Sequence, residues 1–113
     1  MPAPFQPLTP YLLVLTTASS RSEARKLARV LLKEKLAACV NLIPDTESHY
    51  WWKGRVERAG EILLLIKTKK SAFKKVEKTI RENHSYSVPE IIGLPIEKGS
   101  RPYLDWLAKE IRI

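Results

Sequence analysis

The chain has 113 residues, 44% of them hydrophobic, which is enough for one domain with its own core and without metal or disulfide staples. A single cysteine, Cys39, excludes an intrachain disulfide framework and any zinc-finger spacing, and no window approaches the roughly 18 apolar residues that span a bilayer. Twenty Lys and Arg against twelve Asp and Glu give a formal charge of +8 and invite a nucleic-acid reading, but the positive residues are spread over helices and turns in the manner of solvated faces. A Lys-, Glu- and Arg-rich thermophile surface looks similar.

Residues 1–10 hold four prolines and no basic group. They lack the charged start and apolar run of a signal peptide, so the expectation is an extended or disordered tip before a single domain at 11–113, in a cytoplasmic protein. Tyr11–Leu15 is a short apolar run predicted as a buried strand. Ser20-Arg-Ser-Glu23 has the form of a capping box, and Ala24, Leu27, Ala28, Leu31 and Leu32 then recur at helical spacing, predicting a helix to about Lys35. Leu36–Ile43 follows as a strand with neither face polar enough for open water. A helix layer can cover only one of those faces, which points to an oligomer.

After a break at Pro44–Glu47, strand character returns at Ser48–Trp52, turns at Lys53-Gly54 and continues through Arg55–Arg58. A looser turn at Ala59-Gly60 is expected before Glu61–Thr68, the most hydrophobic strand. Phe73, Val76 and Ile80 mark a second helix, with Ser71 or Thr68 able to cap it, that stops near Asn83–His84. Val88–Ile96 reads as a fourth strand, with Pro89 and Pro95 pointing to an edge position or a strand boundary. Ser100-Arg-Pro102 opens a last helix with the apolar stripe Tyr103, Leu104, Leu107, Ala108 and Ile111. This order predicts an α+β, ferredoxin-like (split βαβ) antiparallel sheet with helices on one face, plus a C-terminal helix.

No phosphate loop, dinucleotide fingerprint, zinc-protease motif or paired-carboxylate motif is present. Cys39 reads as a small buried residue of a strand, since nothing local would activate its thiol. Adjacent Trp51 and Trp52 in one strand must point to opposite faces, so at least one meets a partner, a groove or solvent. Strand alternation places Glu90 with Val88, Ile92 and Leu94; a carboxylate there needs a salt bridge, with Lys67 one candidate, or serves as a binding group beside Tyr86 and His84.

Leu36-Ala-Ala-Cys-Val-Asn-Leu-Ile-Pro44, then Tyr50 with Trp52 and Gly54, Lys67-Thr68, the His84-x-Tyr86-x-x-Pro89-Glu90 run, Leu94-Pro95 and Tyr103-x-x-Trp106 together resemble the CutA divalent-cation-tolerance family over about residues 11 to 110. The resemblance implies a homotrimer with sheets packed inside and helices outside, and a non-enzymatic role in tolerance of copper and other divalent metals. It implies candidate ligand-binding residues Cys39, Asn41, Trp52, Lys67, Tyr86, Glu90 and Trp106 near clefts between subunits. His84 and Glu90 are the candidate metal ligands, for a divalent ion such as copper held weakly, and no firm cofactor is implied.

Two departures weigh on copper. Thr16 and Asn83 stand where some bacterial members carry a cysteine and a second histidine, and both are poor copper ligands beside thiolate and imidazole. Ser85 also replaces the proline of the familiar His-Pro-Tyr. The alternative function is a PII-like regulatory trimer that binds an anionic metabolite or nucleotide and a protein partner. A nucleic-acid partner on the sheet face would need exposed aromatics there, which a trimer with buried sheets does not offer, and a membrane partner is not expected.

Overall fold

A computed structural model describes residues 10–112; residues 1–9 of the expected N-terminal tip lie outside the described residues. The elements are β1 (Tyr11–Ala18), α1 (Arg21–Lys33), β2 (Cys39–Trp52), β3 (Arg55–Lys69), α2 (Phe73–Asn83), β4 (Ile92–Pro95) and α3 (Arg101–Glu110). The sheet order is β2-β3-β1-β4 with every neighbour antiparallel. Each βαβ unit therefore has a strand of the other inserted between its own two, as the split βαβ reading requires.

Side-chain alternation divides the sheet into two unlike faces. Leu12, Val14, Leu64 and Ile66 point to one side and pack with Ala24, Leu27 and Leu31 of α1 and Val76 and Ile80 of α2 in a single buried cluster. On the other side Leu13 and Leu15 of β1 lie in register with Lys67 and Leu65 of β3 and with Leu94 and Ile92 of β4. Ile43 joins them opposite Leu63. Ile43, Ile92 and Leu94 are all more than 40% exposed in the single chain. The helix α3 makes a smaller core at the end of the sheet, where Leu107 and Ile111 bury against Tyr11 and pack on Ile96.

Local chemistry explains the ends of α1. The Ser20 hydroxyl accepts the Glu23 N–H at 3.1 Å. At the other end Leu36 N–H reaches Leu31 O and Lys35 N–H reaches Leu32 O, with Lys35 at φ 59, which is a Schellman stop. The helix thus ends two residues before the expected Lys35. Lys53 and Gly54 both take positive φ, the two-residue hairpin turn that matches strand twist.

Four sequence expectations are corrected. The break at Pro44–Glu47 is a bulge inside one 14-residue strand, and the turn at Ala59-Gly60 is continuous β3, so β2 and β3 form one long arm. Pairing along the full hairpin satisfies backbone groups that two loops would leave to water. No side chain caps α2; Thr68 instead donates to Leu36 O at 2.6 Å, tying β3 to the end of the α1 turn. The fourth strand spans four residues, because pairing with β1 runs only from Leu12↔Pro95 to Leu15↔Ile92.

One core hydroxyl is out of place. Thr16 is fully buried and its Oγ1 has no partner among the described residues. Replacing a buried, unsatisfied hydroxyl by a methyl of the same shape removes a desolvation penalty. Thr16→Val is expected to raise stability by about 1 kcal/mol, read as a shift in denaturation midpoint at constant slope.

Candidate functional site

Two groups of polar side chains lie on or beside the open sheet face. The first is built by register: Cys39 of β2 stands opposite Lys67 of β3, and Asn41 follows two residues on along the same face. Lys67 Nζ donates to Asn41 Oδ1 and lies 3.9 Å from Cys39 Sγ. The ammonium is oriented by an amide, which sets a thiol, an amide and a cation beside the leucines and isoleucines of this face.

The second group fastens the segment between α2 and β4, residues 84–91. The imidazole of His84, its side chain fully buried, donates from Nε2 to Thr17 O at 2.6 Å and accepts the Tyr86 N–H on Nδ1 at 3.0 Å. These two bonds occupy both ring nitrogens. Nδ1 also stands 3.8 Å from a Glu23 oxygen. In this arrangement His84 has no lone pair left for a metal and serves to hold the segment against β1.

Glu23 fastens the same segment from α1. One carboxylate oxygen accepts the Ser19 N–H and hydroxyl, and the other accepts the Ser85 N–H at 2.6 Å. Burial alone would push its carboxyl up, but the hydrogen bonds from Ser19 and Ser85 overcome that and hold it down at about 2. Tyr86 completes the clasp by donating its phenol to Glu61 at 2.7 Å. Burial and the adjacent Glu61 carboxylate push that phenol well above its ordinary value, so it remains a donor. Glu61 is buried and shares the face of Leu63 and Lys67.

The remaining candidates are dispersed. Glu90 is exposed and lies before β4 rather than in it, so strand alternation does not place it on an apolar face and no ion pair to Lys67 forms. Trp52 and Tyr50 are on the β2–β3 arm, 45% and 42% exposed, while Trp51 on the opposite face is 74% exposed. Both adjacent tryptophans therefore stand open in the single chain. Trp106 lies on α3 with its ring 5.5 Å from that of Tyr103. A shallow cleft of about 490 Å³ runs between α2 and the clasped segment, lined by Lys74, Lys78, Arg81, Tyr86 and Pro89 among others. No group of three or more His, Cys, Asp or Glu side chains among the described residues is placed to hold a metal ion. Sequence reasoning missed Glu23 as more than a cap and Glu61 altogether.

Comparison with known proteins adds a consistent set of likenesses. The family model described as CutA1 divalent ion tolerance protein matches residues 12–110. A divalent-cation tolerance protein CutA of Thermus thermophilus is 49% identical over 94 residues, covering 83% of this chain and 91% of that protein. The chloroplastic Protein CutA 1 of Oryza sativa is 43% identical over 103 residues, 91% of this chain, and the chain spans 58% of its length. The solved structure of the Thermus thermophilus divalent cation tolerance protein superposes with a TM-score of 0.88 at 45% identity, covering 90% of this chain and 99% of that one.

Proposed function

The chain belongs to the CutA1 divalent ion tolerance protein family, and from that premise we propose that it works as a non-enzymatic homotrimer in the cytoplasm, contributing to tolerance of divalent metals such as copper through weak ligand binding at clefts between subunits. The observation that carries this reading is the open sheet face. Leucines and isoleucines from all four strands lie there in register with no helix over them, and a soluble chain rarely leaves such a patch bare. Its closure by like chains would bring the polar group of Cys39, Asn41 and Lys67, the Tyr86–Glu61 pair, Trp52 and Trp106 toward subunit boundaries.

Within that cleft Glu90 supplies the free carboxylate, with Tyr86 as its neighbour along the chain, while His84 is spent on the clasp. Mass measurement in solution is expected to give three times the 13.0 kDa chain mass. Isothermal titration with copper and with zinc is expected to give weak binding that Glu90→Ala lowers several-fold. A single-chain mass would remove the clefts, and unchanged heats would remove Glu90.

A further inference from the structure

The helix side of the sheet carries a charge pattern that metal tolerance does not use. On α1, Arg21, Arg25, Arg29 and Lys33 are all exposed and recur every four residues, with Lys26 exposed beside them. At 1.5 Å rise per residue they form one ridge inclined to the helix axis, about 6 Å of rise between members and about 18 Å in all, turning about 40° at each step. Ordinary solvated helices set opposite charges at this spacing, because like charges four apart repel. Here the helix has one carboxylate, Glu23, and it is turned away into the clasp. None of the five cations is within salt-bridge distance of a carboxylate among the described residues. The neighbouring helix α2 adds exposed Lys74, Lys75, Lys78 and Arg81, of which Lys78 is paired with Glu82.

We infer that the α1 row is a docking surface for the phosphodiester backbone of a nucleic-acid duplex, read without regard to sequence. Charge complementarity carries the choice of partner. A duplex presents phosphates in a regular array, about one per 3.4 Å of its axis on each strand, so a ridge of cations about 6 Å apart meets several of them. Three of its four members are arginines, whose planar fork matches phosphate oxygens. A bilayer is the poorer fit: the apolar stripe of α1 is buried in the core, and of its large apolar side chains only Leu32 is exposed. The face exposes no aromatic to stack on bases, so the contact is to the backbone alone. Since this surface is on the helix side, it is compatible with a sheet face closed by like chains.

The test is fluorescence anisotropy with a labelled 20-base-pair duplex on the full chain across salt concentrations. Wild type is expected to bind in the micromolar range at 50 mM salt, with log K falling steeply as log salt rises. R21Q/R25Q/R29Q should weaken binding at least tenfold and flatten the salt slope by about 3. The charge-matched K98Q/R101Q/K109Q, on and before α3, should change it less than threefold. The double variant R25Q/R29Q, with a slope change of about 2, guards against misfolding, and relief of like-charge repulsion should leave either variant's melting temperature unlowered. Absence of binding at 50 mM salt, or equal loss in the α3 control, overturns the proposal. So does row-dependent binding to phosphatidylserine vesicles by a protein that ignores the duplex.

Discussion

Leu65→Asp is expected to convert the proposed trimer to single chains without unfolding them. Leu65 is at the middle of the open sheet face, in register with Leu15 on one side and Asn41 on the other. Closing that face over a carboxylate with no partner would bury an uncompensated charge, at a cost of more than about 3 kcal/mol per chain. Its neighbours Leu64 and Ile66 point to the helices and are untouched, so the core of each chain should persist. Sedimentation or light scattering should show one chain mass while circular dichroism keeps the native helical signal. A variant that retains three chains would show that the face is not the interface.

The second large effect concerns Glu23. Its folded carboxyl is held at about 2 against an ordinary 4.5. A depressed carboxyl adds stability that is complete above about pH 4.5 and is lost as pH falls through about 2. Its side chain is only 11% exposed, so solvent screening is slight and the contribution is about 3 kcal/mol at neutral pH. Glu23→Gln should remove about 2–3 kcal/mol at pH 7, because an amide nitrogen would face the Ser85 or Ser19 N–H, and should flatten stability between pH 4.5 and 2. Denaturant titrations at matched protein concentration check both parts, since the midpoint of an assembled protein moves with concentration. An unchanged pH profile would show that the clasp is not held by charge.

The element order, the Ser20 cap, the Lys53-Gly54 turn and the apolar phases of α1 and α2 could be read from residues because each is decided within a few positions. The clasp could not. Ser85 meets Glu23 across 62 residues and Tyr86 meets Glu61 across 25, distances that only the β2-β3-β1-β4 order brings together. Glu23 was visible as a capping residue, and that local explanation hid its second oxygen. The strand face expected for Glu90 fails for the converse reason: alternation does not extend to a segment held by side chains rather than by a ladder. Cys39, Asn41 and Lys67 were brought together by the resemblance, and register explains why they meet.

The bulge in β2 has a geometric effect beyond interrupting the ladder. Pairing passes from Ile43↔Leu63 to Thr46↔Glu61, so one extra residue enters β2 around Pro44–Asp45, where Asp45 takes φ 60. Odd-numbered side chains of β2 share the open face before that point, and even-numbered ones share it after. The insertion acts as a half-rotation of everything beyond it: Tyr50 and Trp52 continue the surface begun by Cys39, Asn41 and Ile43, and Trp51 is carried to the reverse. Removing one residue there would leave the composition of the arm almost intact and exchange its two sides.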